Sequence, residues 1–184
     1  PEEFYRIKRL PPYVFEEVNA LKARLRNAGR DVIDFGMGNP DMPTPPHIVE
    51  KLVEAAVKPR TNRYSASKGV PGLRKSIARY YERRFGVKLD PATEVIATLG
   101  SKEGFANLAQ AITAPGDVIL APDPAYPIHA YGFIIADGVI RGVPAPTPEA
   151  YLSGMGRAVS HVTPKPVAMV LNYPSNPTAQ VVGL

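Results

Sequence analysis

Residues 117–143 read DVILAPDPAYPIHAYGFIIADGVIRGV, and this stretch decides the fold class. A short apolar run, Asp117–Ala121, leads into a proline-rich loop at 122–129. Residues 127–135 read as a helix, and Val139–Val143 is a second short apolar run. Two parallel strands cannot be joined by a tight turn, so run, helix-length crossover and run together spell a βαβ unit. Working outward, Glu94–Thr98 is a β-branched run followed by a helical pattern over 102–113. On the other side, residues 148–160 are helical and Val167–Leu171 is a further apolar run. Strand and helix alternating at this spacing predict an α/β fold with a mostly parallel sheet. Its ligand site is expected beyond the carboxyl ends of the strands. Conspicuous loops follow three of those ends: GSKEG at 100–104, PDPAYPIH at 122–129 and NYPSNPTAQ at 172–180. They are expected to converge on one ligand.

Upstream, residues 1–12 lack periodicity and read as an extended arm. A helix is expected after Pro11 and Pro12, with Val14, Phe15, Val18, Leu21 and Leu25 on one stripe and Gly29 at its end. Val32–Phe35 reads as a short strand and GMGNPD after it as a turn. Thr44 is the expected cap of a helix opened by Pro45 and Pro46, with Ile48, Leu52, Val53 and Ala56 as its stripe. A polar loop containing Tyr64 follows. Pro71 opens another helix, with Leu73, Ile77, Tyr80 and Tyr81 expected inward and Gly86 as the stop.

The 184 residues are 45% hydrophobic and 21% charged, as in soluble globular chains. No apolar run approaches the ~20 residues of a membrane span, so no membrane partner is expected. The start is charged, with no apolar run of signal-peptide type. Cysteine is absent, which excludes disulfides and thiolate chemistry and fits a reducing cytoplasm. The net charge is +5, but Lys and Arg are spread along helices and no basic block is interleaved with aromatics. A nucleic-acid partner is therefore not expected. Most of the 21 prolines cluster at loop positions, as punctuation between elements.

Within GSKEG, Gly100 permits a tight turn, and Ser101 can cap the helix or bind phosphate. The amides of Lys102 and Glu103 lie at the positive end of the helix dipole, which contributes about 0.3–1 kcal/mol per favourable charge. The segment reads equally as an ordinary capped helix start. Tyr126, in its proline-held loop, can stack on an aromatic ligand or pack beneath its own loop. Asn176 stands between Pro174 and Pro177, which restrict the loop. Its amide can donate to a ligand oxygen or start an Asx-type turn. His47, His129 and His161 have no metal-ligand spacing, so no metal is expected, and no Ser-His-Asp or HExxH pattern is present.

In combination, RLPPYVF, DFGMGNPD, TPPHIVEKL, RYSASKGVPGLR, GSKEG, DPAYPIHAYG and YPSNPTAQ resemble the class I/II pyridoxal-phosphate aminotransferases of fold type I. The likeness is greatest to the alanine (glutamate–pyruvate) transaminase group, with the LL-diaminopimelate aminotransferases related. It covers the whole chain in order and spacing. It implies an N-terminal arm and small-domain segment over 1–42, and the first half of the large cofactor domain over 43–184. The cofactor implied is pyridoxal 5'-phosphate. By resemblance, Ser101 and Lys102 hold its phosphate, Lys102 mainly through its backbone N–H. Tyr126 stacks on the pyridine ring, and Asn176 donates to the ring's 3-oxygen. Gly38 offers a backbone contact to the substrate carboxylate, and Tyr13 is an arm residue closing over substrate. Tyr64 reaches the phosphate of the neighbouring subunit, so the site is shared across a homodimer. The resemblance also predicts a cis Asn176–Pro177 bond.

The implied reaction is ping-pong transfer of an amino group between an amino acid, alanine or glutamate in first place, and a 2-oxo acid. The family's Schiff-base lysine, its pyridine-pairing Asp and a carboxylate-binding Arg belong to motifs that do not occur in residues 1–184. The resemblance places the Schiff-base lysine beyond Leu184. No residue here is therefore assigned as catalytic, and the polypeptide alone is expected to be inactive and poorly stable. Ala179 stands where the family usually has glycine in NPTG, a variation the alanine-transaminase group tolerates. The competing readings are another fold-type-I enzyme of the C–S lyase or decarboxylase kind, an aminotransferase-like sensor domain of a transcription regulator, and a generic phosphate-binding α/β domain.

Overall fold

The computed structural model describes residues 4–36, 38 and 40–183. In chain order the elements are α1 (Tyr5–Lys8), α2 (Val14–Asn27), α3 (Pro46–Ala56), α4 (Pro71–Phe85), α5 (Ser101–Ile112), β1 (Val118–Asp123), α6 (Ile128–Ile135), β2 (Val139–Pro144), α7 (Pro148–His161) and β3 (Pro166–Met169). They form two compact units, one of Val14–Thr98 and one joining the arm up to Tyr13 with everything from Leu99 onward. The expected division at 42/43 concerns domains of a larger architecture and stays a proposal.

The unit from Leu99 onward is the predicted α/β layer. β1 lies between β2 and β3 and pairs with both in parallel. Val118 stands opposite Val139, and Asp123 opposite Pro144. The run VILA is continuously apolar because both faces of a central parallel strand are covered. Val118 and Leu120 join Val143, Ala145, Tyr151 and Met155 in one buried cluster, whose α7 residues form one cover. Ile119 joins Ala109, Phe133 and Val170 in the other, where α5 and α6 supply the cover. Each such aliphatic side chain contributes about 1.5–3 kcal/mol by leaving water. α7 starts at Thr147, whose hydroxyl accepts the Ala150 N–H at 3.2 Å. It is pinned across the sheet by Tyr151, whose hydroxyl donates to the Val170 carbonyl at 2.6 Å. Burial pushes that hydroxyl's pKa upward.

The arm departs from its expected extended form: α1 is one helical turn, in which the Phe4 carbonyl accepts the Ile7 and Lys8 amides at 3.0 and 3.1 Å. In the unit of Val14–Thr98 the three expected helices form. Left-handed Gly29 and Gly86 stand at the ends of α2 and α4, where only glycine adopts φ of 74° and 70° without strain. Thr44 does not cap α3, because Pro45 holds the cap position and no side chain bonds the first turn. Val32–Phe35 and Glu94–Thr98, expected as strands, are irregular. A β-branched run becomes a strand only where a second strand supplies a ladder. Here Ala97 N–H bonds the Lys68 carbonyl outside any ladder. Tyr80 and Tyr81, expected inward, face solvent and cluster with Phe85. Met37 and Asn39 of the expected GMGNPD turn lie outside the described residues. So does Leu184, the position beyond which the Schiff-base lysine is expected. Among the described residues, no helix is long and apolar enough to cross a membrane.

Candidate functional site

Two loops leave the sheet at the carboxyl ends of adjacent strands, residues 124–127 after β1 and 172–180 after β3. The third predicted loop arrives differently. Its strand does not form, and the start of α5 is carried there by packing of α5 on α6. Phe105 meets Phe133 edge-on at 5.5 Å and His129 at 5.4 Å. Gly100 takes φ of 91°, which turns the backbone into α5 and makes it the N-cap in place of Ser101. The Ser101, Lys102 and Glu103 amides follow as the first turn, with no side-chain cap. The Glu103 carboxylate folds back to accept the Leu99 N–H. The loop after β3 is closed by Ser175 N–H to Gln180 O and by Ala179 N–H to Ser175 O, each 2.8 Å. It is tied to the segment before α7 by the Gln180 amide, which donates to Pro146 O at 2.7 Å. The Asn176–Pro177 bond is cis, as expected.

Ser101, Lys102, Tyr126 and Asn176 line one cavity of about 370 Å³. Small-molecule and cofactor sites typically measure about 300–1,000 Å³. Phe105, Ile128, His129, Asn172 and Pro174 complete the wall. The Lys102 ammonium lies over the Tyr126 ring, 5.2 Å from its centroid. A hydrogen bond with Tyr126 holds that amine above its usual pKa, and Tyr13 adds to the effect. The lysine side chain is thus engaged on the ring to which stacking was assigned, beyond the backbone role expected for it. Tyr13 packs edge-on against Tyr131 of α6 at 6.4 Å. Tyr64 and Gly38 belong to the other unit, both exposed, with Tyr64 beside Thr61, Asn62 and Arg63.

His129 is the wall residue that sequence reasoning passed over. It is 8% exposed, it meets Tyr126 edge-on at 6.0 Å, and its Nδ1 is buried without a hydrogen-bond partner among the described residues. Burial lowers its pKa, which keeps the ring neutral. The available signal was positional: His129 follows Tyr126 by three residues, at the start of α6.

The cavity therefore combines an uncapped helix start, two amide side chains and an aromatic wall. The family model for aminotransferases of class I and II matches residues 30–184. The chain belongs to the class I and II aminotransferase family. It is 65% identical to a putative aminotransferase AatC of Rhizobium meliloti, over all of this chain and 45% of that protein. It is 51% identical to the glutamate–pyruvate aminotransferase AlaC of Escherichia coli, over 98% of this chain and 44% of that protein. Substrate-bound BacF from Bacillus subtilis superposes with a TM-score of 0.86 at 35% identity, over 99% of this chain and 46% of BacF. The chain thus spans less than half the length of these relatives. Within the family it lies near the alanine transaminase group.

The family's cofactor is pyridoxal 5'-phosphate, a flat phosphorylated pyridine. The residues present fit such a group. The free amides of the α5 start suit a phosphate, the Tyr126 ring suits a flat heterocycle, and the orphaned His129 nitrogen gives the wall an unsatisfied polar atom.

Proposed function

We propose that the full-length protein catalyses pyridoxal-phosphate-dependent transfer of an amino group between an amino acid and a 2-oxo acid, with alanine and glutamate as the leading donors. One observation carries the reading: residues 101, 102, 126 and 176, far apart in sequence, line one cavity of family-appropriate chemistry. When bound, the cofactor supplies an electron sink for carbanion chemistry at the amino-acid α-carbon. Ser101 and the first amides of α5 would hold the phosphate. Lys102 adds positive charge beside the anion, and Tyr126 gives the ring a wall. Asn176, set in a loop closed by its own hydrogen bonds, would donate to the ring oxygen. Neutral His129 meets Tyr126 edge-on and offers one nitrogen to a partner. Gly38 and Tyr13 are proposed to meet the substrate. Tyr64 is proposed to reach the phosphate of a second subunit, in a cytoplasmic homodimer. The Schiff-base lysine is proposed to lie beyond Leu184, in the part of the relatives' length that this chain does not span. Identity to AlaC supports the alanine–glutamate choice.

The test uses full-length protein reconstituted with pyridoxal 5'-phosphate. The expected outcome is a cofactor absorption band and transfer from alanine or glutamate to a 2-oxo acid. Asn176→Ala should weaken cofactor binding by roughly 10- to 100-fold, the value of a hydrogen bond to a charged acceptor. Cofactor binding without amino transfer from any amino acid would overturn the reaction and leave the C–S lyase reading. Absence of cofactor binding would overturn the site.

A further inference from the structure

The arm of residues 4–13 is held on α6 by contacts that the transamination reading does not use. Arg6 places a guanidinium nitrogen 2.8 Å from Asp137 Oδ2, and Arg9 places one 3.4 Å from Oδ1. Arg9 also donates to the Gly138 carbonyl at 3.2 Å. The Tyr131 hydroxyl stands 2.9 Å from the Pro11 carbonyl and 3.2 Å from that of Pro12, a donor shared by two acceptors. A four-residue helix such as α1 cannot hold itself in water, so these contacts determine its place. Asp137 is a firm anchor. It takes φ of 66°, its N–H bonds the Ile134 carbonyl at 3.0 Å, and its own carbonyl accepts the Gly116 N–H at 2.9 Å.

We propose that Asp137 and Tyr131 are positioning residues: by latching the arm onto α6 they hold Tyr13 beside the cavity lined by Ser101, Tyr126 and Asn176. Tyr13 directly follows the two latched prolines, whose rings restrict the backbone and so pass the fixed direction on to it. Its ring is set edge-on against Tyr131, on the helix whose first turn gives Ile128 and His129 to the cavity wall. The substrate role of Tyr13 rests on the proposed transamination, whereas the latch stands on its own contacts.

The experiment uses full-length holoenzyme carrying Asp137→Asn, Tyr131→Phe, or both. Asn tolerates the left-handed backbone of position 137, so the first change removes charge and keeps shape. Phe removes only the hydroxyl. Trypsin cleavage after Arg6, Lys8 and Arg9 is followed by intact mass, alongside the cofactor band, melting temperature, KM and kcat. The latch predicts cleavage faster by roughly fivefold for each single change and more for the pair, given the modest value of a partly exposed ion pair or hydrogen bond. It further predicts a raised amino-acid KM with kcat less affected, and an unchanged melting temperature and cofactor band. Arg6→Ala/Arg9→Ala removes two of the three cleavage sites, so it should reproduce the raised KM and quicken the remaining cut after Lys8, and adding Asp137→Asn to that pair should change nothing more. Wild-type cleavage in the double variant, with transamination intact, overturns the latch alone. Faster cleavage at unchanged KM overturns the positioning of Tyr13. Faster cleavage in a protein that never transfers an amino group supports the latch and overturns the functional reading.

Discussion

α3 and α7 carry equally clear helical signals, each opened by proline and each with an apolar stripe, yet they end in different surroundings. α7 lays Tyr151 and Met155 on the sheet, where both are buried. α3 leaves Ile48, Leu52 and Val53 more than half exposed. The same holds for their units: apart from Ala78 and Val95, the buried apolar side chains of the described residues lie from Leu99 onward. Periodicity and caps are local and suffice to make a helix. Burial needs a second surface, which the paired strands provide for α7. An amphipathic face left bare has the character of an interaction surface.

The largest expected effect follows directly. In the isolated 184-residue polypeptide, amide hydrogen exchange should protect β1 roughly tenfold or more over α2, α3 and α4, because core strands open only with global unfolding whereas unpacked helices fray. In the full-length protein the amides of α3 should gain protection as its face is covered. Equal protection of β1 and α3 in the isolated polypeptide would break the comparison. A smaller contrast sharpens it: Leu120→Ala, at a fully buried site where the loss is about 2–5 kcal/mol, should erase the protection of β1. Leu52→Ala, on the bare face of α3, should stay within about 0.5 kcal/mol in the same polypeptide.

The same contrast explains what could be read in the letters alone. The βαβ unit was legible because VILA and VIRGV are short apolar runs on either side of a helix-length segment, and both ends of the argument lie within a short stretch of chain. The convergence of Tyr126 and Asn176 was legible because parallel strands gather their carboxyl ends, whereas Ser101 arrives through the packing of α5 on α6 rather than from a strand end. Two strands were misread for the converse reason. Val32–Phe35 and Glu94–Thr98 carry β propensity, but propensity states what fits a ladder and not whether a partner is present. His129 escaped because its importance lies in burial beside Tyr126 and Phe105, which no spacing rule for metal or triad detects. Asp137 and Tyr131 escaped because their partners stand far earlier in the chain, in an arm without periodicity.

Acid should separate the two regions again, by a smaller margin. His129 has a lowered pKa in the folded chain because burial disfavours its charged form. Below the unfolded value of 6.5 the unfolded chain binds a proton that the folded chain refuses, so stability rises with pH and is lost as pH falls from about 7 toward 5. Asp34, Glu54 and Asp90 in the other unit also have lowered pKa values, set first by hydrogen bonds from Lys22, from Lys51 and from the Ala92 amide. Their contribution is intact above the ordinary carboxylate values of 3.8 to 4.5 and is lost only as pH falls through the lower, folded values. Exchange at β1 should therefore quicken between about pH 7 and 5, after correction for intrinsic rates, while the local order around Lys22–Asp34 and the turn at Asp90 persists until below about pH 4. His129→Gln should flatten the first response and leave the second in place. If both regions lose order in a single step near about pH 4, the buried histidine is not what couples the sheet to acid.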